Sequence, residues 1–270
     1  MTILPQGDPP EGRSPTVPRF DADYVPRSAM AIYAHPDDIE FTVAGTLAKW
    51  VRAGCEVTYV LITSGNAGTH DPGMTRKALE RVREREEREA ARITGARRVV
   101  FLRRDDCELA PSLALRKALV RQIRKYRPEV VLCNDPQALF FGDQYVNHPD
   151  HRAAGQAALD AVFPCAEMRL LWPDAGRPHK VHAVYVSSTH SPNTWIDVTG
   201  TIGAKLTALK THRSQLGERD LSPRIRGWAL DEASRAPARR TGGKGRARRP
   251  EYAEAFRVMR LLREDVPPES

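Results

Sequence analysis

Long apolar runs are missing from this chain: nowhere does it approach the ~20 consecutive apolar residues of a membrane-spanning helix, so membrane insertion is not expected. The opening stretch from Thr2 to Arg19 is broken by Pro5, Pro9, Pro10, Pro15 and Pro18 and lacks the apolar centre of a secretory signal, which makes the cytoplasm the expected location. Thiol pairs are missing too. Cys55, Cys107, Cys133 and Cys165 are dispersed with no Cys-x-x-Cys spacing, which argues against a disulfide framework and a thiolate zinc site and leaves them as small buried hydrophobes. No internal repeat is present. What remains, 41% hydrophobic and 28% charged over 270 residues, suits a soluble enzyme-sized α/β domain with a full core.

A net charge of +8 would suggest a nucleic-acid partner, but its distribution argues otherwise. Arg235, Arg239, Arg240, Lys244, Arg246, Arg248 and Arg249 fall in one segment without an acidic residue and supply seven of the eight excess charges. Pro237, Gly242, Gly243 and Gly245 lie among them, and no aromatic residue offers a stacking surface for bases. A solvated, mobile basic loop over 235–249 is expected, with no nucleic-acid partner.

The rest of the chain is organised around Ala29-Met30-Ala31-Ile32-Tyr33-Ala34-His35-Pro36-Asp37-Asp38-Ile39-Glu40, an apolar run that stops at an imidazole and three carboxylates. Ile32 and Tyr33 favour a pleated surface, Pro36 cannot continue a ladder, and residues 41–53 carry a helical pattern, so a buried strand over 30–34 turns sharply into a helix. The turn has no glycines to cradle a phosphate, and two adjacent carboxylates would repel one while attracting a divalent cation. Taken alone, Asp37 or Asp38 reads equally well as a helix cap. Further strands are expected over 56–63, 97–102, 129–133, 181–187 and 194–198, and helices over 75–94, 112–126, 152–162 and 203–216. The long loop 134–147 carries Phe140, Phe141 and Tyr145 and suits a binding wall. Strand and helix alternate four times before residue 165, which predicts a doubly wound, Rossmann-like, mostly parallel sheet with helices on both faces.

His148-Pro149-Asp150-His151 repeats the geometry of the first cluster after another predicted strand. In a parallel sheet both turns reach the carboxyl-terminal edge, where ligands bind. Two imidazoles and a carboxylate suit zinc with a position left open for water, the pattern of a catalytic site; the same donors serve iron oxygenases or a metal-stabilised binding module.

At this point the chain resembles the LmbE-like (PIG-L-like) zinc-dependent N-deacetylases, over about residues 30–220, through Ala34-His35-Pro36-Asp37-Asp38 and His148-Pro149-Asp150-His151. Within that family it is similar to the archaeal diacetylchitobiose deacetylases through Thr189-His190-Ser191-Pro192-Asn193, His212-Arg213-Ser214-Gln215 and Glu254-Ala255-Phe256-Arg257-Val258-Met259. The resemblance implies that His35, Asp38 and His151 hold Zn2+, that Asp37 is the general base and that His148 stabilises the tetrahedral intermediate. It further implies that Arg83 and Asp106 contact the sugar and that His190 lies near the reacting carbonyl. A zinc-dependent N-deacetylase of N-acetylglucosamine-type sugars follows, with thiol-, aminoglycoside- or glycopeptide-linked acetamido conjugates as the alternative substrates. Ile39 before Glu40, Ala44 before Gly45 and Ser64 depart from the commonest family spellings and bear on the substrate more than on the reaction. The expected organisation is a Pro-rich leader over 1–28, the deacetylase domain over 29–234, the basic loop, and a segment over 250–270 that completes the domain; homo-oligomerisation stays open.

Overall fold

In the first strand, β1 (Ser28–Tyr33), every residue after Ser28 is buried, so both faces need cover. Ala29, Ala31 and Tyr33 enter one core and Met30 and Ile32 the other, the two-residue alternation of a central strand. A computed structural model describes residues 22–238 and 247–261 of the chain. Five strands run parallel: β1, β2 (Glu56–Thr63), β3 (Arg98–Arg104), β4 (Val130–Asn134) and β7 (Ala183–Ser187). With β8 (Thr194–Asp197) and β9 (Ala253–Arg260) they form one seven-stranded sheet in the order β3-β2-β1-β4-β7-β9-β8, in which β9 is antiparallel to both neighbours. A separate hairpin joins β5 (Phe140–Phe141) to β6 (Tyr145–Val146) inside the long loop.

Helices cover both faces. The side of Tyr33 packs Ile39 of α1 (Asp38–Thr42), Leu47 and Trp50 of α2 (Ala44–Arg52) and Ala91 of α3 (Arg76–Thr94). The opposite side packs Leu115, Leu119 and Ile123 of α4 (Leu113–Tyr126) and Ala154, Ala157 and Ala158 of α5 (Pro149–Asp160). Thr75 and Ser112 cap α3 and α4 by accepting the amides of Ala78 and Leu115. The mostly parallel, doubly wound α/β sheet read from the pattern is the architecture present.

Several differences have local causes. The helix expected over 41–53 breaks at Val43, because the Glu254 carboxylate accepts the amides of Gly45 at 3.0 Å and Thr46 at 2.8 Å and so starts a second helix. The Lys205 ammonium takes up the Thr42 carbonyl at 2.9 Å and the Glu254 carboxylate at 2.6 Å. The helix expected over 203–216 stops at Leu209 in α6 (Ile202–Leu209), and a short α7 (Arg213–Leu216) follows the fully buried His212. A further helix, α8 (Ser222–Arg235), was hidden in the sequence by Pro223 and Gly227 and by its weak apolar stripe. Of the basic segment, Arg235 closes α8 paired with Asp231, and Arg249 donates to the Ala236 carbonyl at 2.9 Å. Arg239, Arg240, Lys244 and Arg246 lie outside the described residues, as do residues 1–21 of the Pro-rich leader and 262–270 of the terminal segment. Among the described residues no helix is long and apolar enough to cross a membrane.

Candidate metal centre and active site

The parallel strands deliver their carboxyl ends to one edge, and three of the connections there carry the chemistry. After β1 the chain reverses through Asp37, held left-handed at φ 99°, a conformation unfavourable for a residue with a Cβ. That turn starts α1 at Asp38, whose carboxylate folds back to accept the His35 amide at 2.9 Å. After β3 comes Asp106, and α5 follows β4 with His148 at its N-cap. A Cβ at Gly155 would sit 2.3 Å from the Asn134 carbonyl oxygen, so glycine is what lets α5 close on the end of β4 and bring His151 to the first turn.

His35, Asp38 and His151 meet there. His151 Nε2 lies 3.0 Å from one Asp38 carboxylate oxygen and His35 Nδ1 3.6 Å from the other. The far nitrogen of each ring is committed. Asn147 donates its amide NH2 to the Ala138 carbonyl at 2.7 Å, which turns its oxygen toward His151 Nδ1 at 3.0 Å; that oxygen only accepts, so Nδ1 carries the hydrogen. His35 Nε2 likewise faces the carboxylates of Asp106 at 3.0 Å and Asp150 at 3.3 Å. In the neutral rings the remaining lone pairs, on His35 Nδ1 and His151 Nε2, therefore point at a carboxylate, an arrangement that only a proton or a metal cation makes favourable. Carboxylates behind imidazoles are the usual supports of ligating histidines. The donor set fits zinc, with His35, Asp38 and His151 as the residues that would hold it. Burial opposes a charged His35, but Asp38, Asp106 and Asp150 outweigh it and hold the ring well above the ordinary histidine range. Burial also opposes the Asp38 anion, and His151 and His35 reverse that and hold it well below the carboxylate range.

Asp37, next to Asp38 in the chain, is held from its other side by α3. Its carboxylate accepts Arg83 Nη2 at 3.2 Å and its amide donates to Glu87 at 3.2 Å. Burial pushes its carboxyl above the ordinary range, and neither the Arg83 cation nor the other charges around it cancel that. Arg83 is only 3% exposed, far from the surface charge its place in a highly charged helix suggests, and also donates to the carbonyls of Pro36 at 2.6 Å and Gly65 at 3.1 Å. Asp106 braces His35 and accepts the Ala67 amide at 3.2 Å, while His35 and these donors hold its carboxyl low despite burial.

His148 accepts the Asp150 amide on Nδ1 at 3.2 Å, so the neutral ring carries its hydrogen on Nε2. Burial, reinforced by the neighbouring His35 and His151, lowers its pKa and favours that neutral donor form. Its ring packs edge-on against His35 with centroids 4.8 Å apart. His190 does not join this group: it is exposed, and its ring lies 5.1 Å from that of Phe141 in the hairpin.

Two contributors escaped the sequence. Asp150, fully buried, supports His35 and is fixed by the amides of Cys107 at 2.8 Å and Leu109 at 3.3 Å, although its place in His-Pro-Asp-His reads as a spacer. Asn147 had no signal beyond standing one residue ahead of that motif.

Residues 30–162 match the family model PIG-L, GlcNAc-PI de-N-acetylase. Over 195 residues the chain is 36% identical to the diacetylchitobiose deacetylase of Thermococcus kodakarensis, covering 71% of each chain. Over 199 residues it is 29% identical to the probable N-acetyl-alpha-D-glucosaminyl L-malate deacetylase 2 of Bacillus anthracis, covering 70% of this chain and 81% of that one. The N,N'-diacetylchitobiose deacetylase from Pyrococcus horikoshii superposes with a TM-score of 0.78 at 28% identity, covering 89% of this chain and 88% of the other. The family match, the 36% identity to the Thermococcus relative and the shared fold agree, and the chain belongs to the PIG-L (LmbE-like) deacetylase family.

Proposed function

We propose that this protein is a zinc-dependent N-deacetylase that hydrolyses the acetamide of an N-acetylglucosamine-type sugar or sugar conjugate. The observation that carries the reading is the convergence of His35 Nδ1 and His151 Nε2 on Asp38 with both opposite ring nitrogens tied down. The names of the Thermococcus and Pyrococcus relatives support a chitobiose-like substrate, and that of the Bacillus relative a glucosaminyl conjugate. Zinc in such a site lowers the pKa of a bound water towards ~7 and polarises the substrate carbonyl.

The side chains do the rest. Asp37 takes the proton of the attacking water, a task helped by the burial that raises its proton affinity. His148 offers Nε2–H to the oxygen on which negative charge develops. Proton return to the departing amine falls to Asp37, which then holds the proton. Arg83 and Asp106 act on the substrate by shaping this edge, Arg83 by holding the Asp37 turn and Asp106 by fixing His35. Phe141 and Tyr145, ring centroids 6.1 Å apart, stand with His190 as a wall suited to the flat face of a sugar ring. Cytoplasmic action on a small soluble substrate without nucleic acid belongs to the same proposal.

The test is release of acetate and free amine from N-acetylglucosamine and N,N'-diacetylchitobiose by zinc-loaded protein. Turnover that disappears on chelation and returns with zinc is expected. A zinc-replete protein that releases no acetate from any acetamido-sugar or conjugate would overturn the reading.

A further inference from the structure

Behind the Asp37 turn lies a second cluster that the proposed chemistry does not use. Glu40 of α1, Glu87 of α3 and His212 ahead of α7 are each fully buried, yet they place a carboxylate oxygen, another carboxylate oxygen and a ring nitrogen within 4.8 Å of one another. His212 Nε2 lies 3.3 Å from Glu40 and 3.7 Å from Glu87. Neither contact is a hydrogen bond: among the described residues both Glu40 oxygens, Glu87 Oε1 and both His212 ring nitrogens have no hydrogen-bond partner.

That combination is costly as it stands: among the described residues Glu87 receives the Asp37 amide on one oxygen only and Glu40 receives no donor, and buried carboxylates so sparsely bonded are strongly disfavoured. A hydrogen-bonded Glu-His pair would show one short contact along the ring N–H. Here one ring nitrogen stands 3.3 and 3.7 Å from two carboxylates with a hydrogen bond to neither, and the three donor atoms lie close enough together to share one cation. Ligands ~2.1 Å from a tetrahedral zinc are separated by about 3.4 Å, close to both spacings. Two carboxylates and an imidazole are also a donor set that first-row divalent ions favour.

We infer that Glu40, Glu87 and His212 form a second, fully buried divalent-cation site, occupied by a zinc-like ion and separate from the catalytic centre. It has no open approach for a substrate and is structural. The ion ties α1 and α3 to the segment before α7. Glu87 Oε2, which receives the Asp37 amide, would be held by it, so the site props the left-handed turn that presents the proposed base.

The full-length protein, purified with zinc available and dialysed, tests this by metal content. Two zinc ions per chain are expected, with one left in His151→Ala and one left in His212→Asn. One ion in the wild type and none in His151→Ala would overturn the second site while leaving the deacetylase reading intact. One ion that survives His151→Ala and vanishes in His212→Asn would support the buried site and remove the catalytic one. Should a variant fold poorly, anomalous scattering at the zinc edge from wild-type crystals decides: a peak amid Glu40, Glu87 and His212 supports the site, and a peak beside His35, Asp38 and His151 with none behind it overturns it.

Discussion

Arg83 and Arg124 look alike in the sequence, each one of many cations on an amphipathic helix, and in the fold each is 3% exposed. Their donors go to different ends. Arg124 gives all of its bonds to main-chain carbonyls, those of Cys165, Ala166, Met168, Trp172 and Gly176 at 2.8–3.3 Å, and so gathers one irregular connection into a fixed shape. Arg83 holds two turns by the carbonyls of Pro36 and Gly65 but spends its remaining contact on the Asp37 carboxylate. Burial of a guanidinium marks a residue the structure depends on. Whether function depends on it is decided by the partner, a chemically inert carbonyl or a carboxylate proposed to exchange a proton.

Arg124→Met should give the largest change and sharpen the contrast most. Five carbonyls lose their donor, and a loss of about 3 kcal/mol or more in unfolding free energy is expected, read from denaturant titration, with turnover per folded molecule unchanged. Next is Asp37→Asn, which keeps the size of the Arg83 partner but not its basicity: kcat should fall by roughly 10² or more with zinc content intact. An active Asp37→Asn protein would place the base elsewhere. Arg83→Lys should cost about 10-fold in kcat, because a single ammonium cannot reproduce the guanidinium fork, with little change in Tm. A change confined to KM would instead make Arg83 a sugar contact and break the comparison. The smallest effect is expected from serine at Arg239, Arg240, Lys244 and Arg246: unaltered kcat/KM on a neutral acetamido-sugar, and on an anionic one a loss that shrinks as salt rises.

The difference between these arginines also shows what could be read in advance. The buried strand and the two His/Asp turns were legible because their information is local: a short apolar run stopped by Pro36 marks β1, and three-residue spacings mark His35/Asp38 and His148/His151. What stayed hidden depends on partners far along the chain. Arg83 meets Asp37 from 46 residues away, Glu40 meets His212 across the sheet-covering layer, and β9 inserts between two strands that a chain-order reading would make neighbours. Gly65 illustrates the point: its sequence context marks a turn or active-site loop but not the reason for glycine, which is that a Cβ there would fall 2.0 Å from the Arg83 guanidinium.

The Glu254 carboxylate that starts α2 lies 209 residues beyond Gly45, whose amide it accepts. During synthesis the first βα unit must therefore wait until residue 254 has left the ribosome before its second helix gains its N-terminal anchor and Lys205 its counter-ion. Assembly of the catalytic edge is thus a late event, since α1, which carries Asp38, ends at that same junction. A chain released before residue 254 would carry every proposed zinc ligand yet lack the clasp that closes the helix behind them.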